Sequence, residues 1–168
     1  MAEHEMTFRV GDKVSHWAYG LGEIIQLDEK ELFGRTSAYY VVRIRDITLW
    51  VPINEKGEGC LRFLTPAEEF QRLFSILASP GEPLSMDGLE RKNQLTARLR
   101  EGTLEAVCWV IRDLVFHQHV KKINDNEKSI LARAKGVLLD EWCTVLSVPA
   151  HQAESELQDL LGAGMVAH

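Results

Sequence analysis

The chain alternates hydrophobic and polar residues in its first part and repeats them at helical spacing in its second. In the stretch Phe8-Arg9-Val10-Gly11-Asp12-Lys13-Val14-Ser15-His16, Val10, Val14 and His16 are spaced like one strand face, with Lys13 and Ser15 on the other. Gly20 and Gly22 flank Leu21 in a tight turn, where glycine admits positive φ or close backbone approach. Glu23 to Leu27 resumes an extended run, and Asp28 to Arg35 reads as a charged, exposed loop. Ser37 to Arg45 is β-rich, Asp46 falls at a turn, and Ile47 to Ile53 alternates as a further strand, with Pro52 suited to an edge or a strand end. Four or five short strands within about 60 residues predict a small barrel of the SH3/Tudor type.

Thr65-Pro66-Ala67-Glu68 then reads as a helix start, with Thr65 as cap, Pro66 in the first helical position and Glu68 closing a capping box. Phe70, Leu73, Phe74 and Leu77 give that helix an apolar face. Ala78 to Pro83, with two prolines and a glycine, is the expected domain boundary. Beyond it, Leu89 to Arg100 is amphipathic and stopped by Gly102, and Thr103 caps a helix carrying Leu104, Val107, Cys108, Ile111, Leu114 and Val115. Asn124 or Asp125 caps a third, with Ile130, Leu131, Ala134, Leu138 and Trp142, which Pro149 breaks. A short helix from Ala150 to Leu161 precedes a Gly/Ala tail expected to fray. The reading is therefore α+β with two domains. A small SH3/Tudor-like β-barrel spans 7–64, a connecting helix and linker 65–83, and an antiparallel α-helical bundle 84–162.

Charge changes this picture by its distribution. The net charge is −6, which does not suit a protein that binds DNA unaided through phosphates. From Leu84 to Gly136, however, ten Lys/Arg stand against seven acids, and after Gly136 there are five acids and no Lys or Arg. Any nucleic-acid contact belongs to that middle segment. The absence of a run of about 18 or more apolar residues argues against a membrane span. The polar, acidic opening Met1 to Met6 is unlike a secretory signal. Three widely spaced cysteines, Cys60, Cys108 and Cys143, without a CxxC pair, fit a reducing cytoplasm better than a disulfide framework or a zinc site.

Candidate catalytic chemistry is weak. Glu68 and Glu69 have a helix-start role. His117 and His119, two apart on a helix, diverge, and they read as solvated or locally bonded. Asp12, Ser15 and His16 cannot form a triad, because strand neighbours face opposite ways. No GxxxxGK[ST] phosphate cradle is present. Cys108, Trp109 and Trp142 sit at apolar helix spacing and read as core. The expectation is no catalysis, no cofactor, no metal and no small-molecule substrate. An aromatic cage of Trp17, Tyr19, Tyr39 and Tyr40 is a lesser possibility for ligand binding.

Gly11-Asp12, the Gly20-Leu21-Gly22 turn, Tyr39-Tyr40-Val41-Val42, Val51-Pro52 and Gly59-Cys60-Leu61-Arg62 together resemble the opening of the CarD/CdnL family of bacterial transcription regulators. The same module is similar to the RNA-polymerase-interacting domain of transcription-repair coupling factor. Glu101-Gly102, Arg112-Asp113-Leu114, Asn124 to Lys128, Leu131, Ala134 and Glu141 follow the order of the CarD C-terminal domain, so the likeness spans residues 7 to 145. It implies a Tudor-like domain that binds the RNA polymerase β subunit, and a helical domain that approaches the upstream edge of the transcription bubble and alters open-complex stability.

For the polymerase contact the expected residues are Arg43, Arg45, Trp50 and Lys30. Tyr39 to Arg45 and Ile47 to Val51 are the candidate sheet edges. Trp50 stands where the family has a basic contact residue. Well-known family members wedge a tryptophan into the minor groove. Anchoring on Glu82-Pro83 puts Met86 at that place, and anchoring on Glu101-Gly102 puts Gly88 there, with Met86 or Leu89 as substitutes lacking a stacking ring. Arg91, Lys92, Arg98 and Arg100 are the expected phosphate contacts. Promoter DNA binding is expected to be weak and to need polymerase. A protein-protein adaptor of the same fold, without DNA function, is the alternative.

Overall fold

The computed structural model describes residues 6–166. The reading of the first residues as unlike a secretory signal, and the end of the Gly/Ala tail, fall largely outside them. Between Leu64 and Thr65 the chain divides into two compact units.

The first unit is one antiparallel sheet. Strands β1 (Lys13–His16), β2 (Gly20–Leu32), β3 (Arg35–Ile44), β4 (Ile47–Pro52) and β5 (Leu61–Phe63) lie in the order β4-β3-β2-β1-β5, with a short helix α1 (Glu55–Glu58) before β5. β4 and β5 are its edges and do not pair with each other, so the sheet is open and the expected barrel is not closed. Asp28 to Arg35, expected as a loop, is strand: Asp28 pairs with Tyr39, Lys30 with Ser37 and Leu32 with Arg35. Charged residues tolerate this strand because both of its faces there meet solvent. The first turn is Trp17 to Tyr19, and Gly20 and Gly22 lie inside β2. A Cβ on Gly22 would stand 2.5 Å from Cγ1 of Ile44, so only glycine lets these strands approach.

One face of the sheet buries Phe8, Val14, Ile24, Tyr40, Val42, Ile44, Val51 and Leu61. At the rim of this core the Tyr40 hydroxyl donates to the Glu58 carboxylate, which also accepts from the Thr7 amide and hydroxyl at 3.0 Å each. Burial, followed by the bond to Glu58, pushes the Tyr40 phenol up to about 12. Val10, expected to share one strand face with Val14 and His16, is exposed ahead of β1.

The second unit is helical: α2 (Phe70–Ala78), α3 (Gly88–Leu99), α4 (Leu104–Val120), α5 (Asp125–Leu146) and α6 (Ala150–Val166). The expected helix start at Thr65 is altered. Ala67–Glu69 is a 3-10 turn, and neither it nor α2 has a side-chain cap, while the Thr65 amide donates to Glu141 at 2.7 Å. α2 is not a linker. Phe70, Leu73, Ile76 and Leu77 belong to the helical core, against α4 and α6, because an amphipathic face requires an apolar neighbour.

The Pro-rich segment after α2 is likewise clamped within this unit. Arg112 donates to the Ser79 hydroxyl at 2.7 Å, the Glu82 amide donates to Asp113 at 2.9 Å, and Gly81 lies against Phe116. Thr103 caps α4 through the Ala106 amide, and Asn124 with Glu127 forms a full capping box on α5. α5 ends at Leu146, three residues before Pro149. α6 extends past the expected Leu161 to Val166, where Gly164 packs close to the Ser79 carbonyl.

Candidate interaction surfaces

The register settles which sheet residues share the solvent face. Trp50 on β4 is opposite Val41 on β3, which is opposite Gln26 on β2, and alternation then places Arg43 and Tyr39, and Asp28, Lys30 and Leu32, on that same face. Trp50 is 43% exposed, and its ring reaches across β3. Its Nε1 donates to Asp28 at 3.2 Å, and the Lys30 ammonium lies 4.1 Å from the ring centroid. A hydrogen bond and a cation–π contact thus hold a large, partly exposed aromatic side chain in place on the face.

Trp50 and Lys30 are brought together in this way, and Arg43 shares their face, opposite Thr48 and Glu23. Arg45 is not on the face: it forms the β3–β4 turn with φ 54°. Of the two candidate edges only β4 is one, since β3 is flanked by β2 and β4. Asp28 and Leu32 were missed because their stretch reads as a loop, although the i, i+2 spacing Asp28/Lys30/Leu32 is a strand signal. The aromatic cage does not form, because Tyr40 is fully buried on the opposite face from Tyr39. Trp17 and Tyr19 stand exposed at the first turn, ordered by His16, whose Nδ1 accepts from the Ala18 and Tyr19 amides at 3.0 and 3.3 Å.

In the helical unit Arg91, expected among the phosphate contacts, turns inward. It is 7% exposed and bonded to Glu127 through Nε, and its Nη1 donates to the Ser85 carbonyl at 2.9 Å. It projects inward because i, i+4 spacing puts it on the same face as buried Leu95. Burial works to raise the Glu127 carboxyl, but the Arg91 bond, the Asn124 amide and the Arg91 charge outweigh it and hold it below the ordinary range. His117 is also buried, with no hydrogen-bond partner for its Nε2. Burial first, and then the Arg91 charge, lower its pKa. The expectation of a solvated or locally bonded imidazole is thus corrected: α4 turns it into the bundle.

This knot joins the first turn of α3, the last turn of α4 and the first turn of α5. It gathers exposed Met86 and Leu89 with exposed Lys92, Lys121, Lys122 and Lys128 at one end of the unit. Met86 is presented by a bonded turn. The Ser85 amide donates to Gln94 at 2.9 Å, the Ser85 hydroxyl donates to Glu90 at 2.7 Å, and the Asp87 amide donates back to that hydroxyl at 3.1 Å. Arg98 and Arg100 lie at the other end of α3. Arg98 sits 5.0 Å from the Trp109 ring and 3.9 Å from Glu101, while Arg100 is exposed. Trp142 is core, but Trp109 is half-buried between Arg98 and Arg112. Cys108 is buried, and burial pushes its thiol up to about 12. All three cysteines are free. No helix among the described residues is long and apolar enough to cross a membrane.

The first unit is thus a sheet that displays aromatic and basic side chains, and the second a helical unit with exposed lysines and apolar residues at one end. The CarD-like/TRCF RID domain matches residues 8–63 and the CarD C-terminal domain matches residues 72–158, so the chain belongs to the CarD family. It is 24% identical over 150 residues, 88% of this chain and 98% of the other, to a Bacillus subtilis (strain 168) protein described as "Putative transcription factor YdeB". The family is of a transcription-factor type, not an enzyme family, and the chain is accordingly a transcription regulator.

Proposed function

We propose that the protein docks on the RNA polymerase β subunit through the solvent face and free β4 edge of its sheet, and that its helical unit contacts promoter DNA once docked, changing the stability of the open complex. The carrying observation is the ordered Trp50, held between Lys30 and Asp28 beside Arg43 at a strand edge. Such an edge offers backbone groups to a partner strand, while Trp and Arg supply anchors. Arg45 lies at the end of the same edge. At the other unit, Met86 and Leu89 supply an apolar wedge, and Lys92, Lys121, Lys122 and Lys128 supply phosphate contacts, with Arg98 and Arg100 as outlying cations.

A titration of the protein against the polymerase β lobe tests the first part. Binding near or below the micromolar range is expected, with loss on Arg43→Glu and on Trp50→Ala; a folded wild type that does not bind removes the reading.

A second reading, an adaptor without DNA function, draws on the inward turn of Arg91 and the net charge of −6. Promoter footprinting on the polymerase complex separates the two. Protection altered by Met86→Ala supports DNA contact, and identical footprints for both proteins support the adaptor.

A further inference from the structure

Strands β2 and β3 continue beyond their neighbours. β4 pairs with β3 only between Ile44 and Tyr39, and β1 pairs with β2 only between Gly20 and Glu23, whereas β2 and β3 remain paired out to Leu32 and Arg35. The last part of the hairpin is therefore a two-stranded arm, a form with little stability of its own. It ends in the two-residue turn Phe33-Gly34, with φ of 54° and 77°. Positive φ at both positions belongs to the mirror-image hairpin turn, whose usual first residue is asparagine, aspartate or glycine. A phenylalanine there is strained by its Cβ. It gains no burial in return, since its relative exposure is 103%. Neither turn preference nor core packing accounts for the residue.

We propose that Phe33 is an anchor that inserts into an apolar pocket of RNA polymerase next to the surface taken by Trp50. This rests on the docking reading above. Leu32 shares the solvent face with Lys30 and Trp50, so that face runs without interruption onto the arm and up to Phe33. The arm mixes Asp28, Glu29 and Glu31 with Lys30 and Arg35, a balance that suits a protein surface and repels phosphate or anionic lipid.

The test titrates the full chain on the polymerase β lobe with Phe33→Asn, Phe33→Leu and Trp50→Ala, and records a melting curve for each. Phe33→Asn creates the preferred Asn-Gly turn, so an unchanged or higher melting temperature is expected together with binding weakened at least about tenfold. Phe33→Leu keeps the apolar anchor and is expected to stay within about threefold of the wild type. If Phe33→Asn binds like the wild type while Trp50→Ala does not, the anchor is refuted and docking survives. If Phe33→Asn melts several degrees lower, its weaker binding is a folding effect and the anchor is likewise refuted. A wild type that does not bind removes both.

Discussion

The sheet unit displays both of its tryptophans, and the helical unit covers both of its own together with two of its arginines, Arg91 and Arg112. Trp17 and Trp50 are exposed and Arg43 faces solvent, whereas Trp142 and Arg91 are buried and Trp109 lies between two arginines. The cause is layering. A single sheet buries one face and leaves the other to solvent, so alternate residues are displayed. Five helices around one core turn a wide stripe of each helix inward, and long basic side chains near that stripe are drawn into internal pairs. Residue type is therefore a fair guide to exposure on the sheet and a poor one on the bundle.

The comparison is broken most severely by paired substitutions. Trp142→Ala empties a fully buried site and is expected to cost about 3–5 kcal/mol, while Trp50→Ala should cost no more than about 1 kcal/mol, both read by urea denaturation. Arg91→Ala strands the buried Glu127 carboxylate and is expected to cost about 3–5 kcal/mol, and equal melting temperatures for Arg91→Ala and Arg43→Ala would contradict the inward placement.

Next in size is Tyr40→Phe, which leaves Glu58 short of a donor. A loss of about 1–3 kcal/mol confined to the sheet unit is expected, visible as faster amide exchange in β3 with α4 unchanged.

The smallest effect is on pH dependence. His117 has a folded pKa below 6.5, so the unfolded chain takes up the proton first and stability falls as pH drops through 6.5. Glu127, lowered from 4.5, adds a loss only in more acidic solution, while Asp113, raised by burial, costs stability at neutral pH and releases that cost on acidification. As pH falls through 6.5 the helical unit should lose stability, and His117→Gln should flatten that slope whatever its effect on absolute stability. Arg91, Glu127 and Lys121 are the charged groups acting on this imidazole. A slope unchanged in the variant would assign the pH dependence to another group.

By itself the sequence determined the strand-rich first part, the caps at Thr103 and Asn124, the stop before Pro149 and the family pattern, because these depend on neighbours within a few residues. It was misread where charge masked alternation, in Asp28 to Arg35, whose strand is held by pairing with Thr36 to Tyr39 and not by its own composition. Only the tertiary structure decided that α2 joins the helical core, that Arg91 and His117 turn inward, and that exposed Lys121, Lys122 and Lys128 lie at the same end of the bundle as Met86. Those outcomes depend on which apolar faces close on one another, and a residue's exposure follows from that closure rather than from its type.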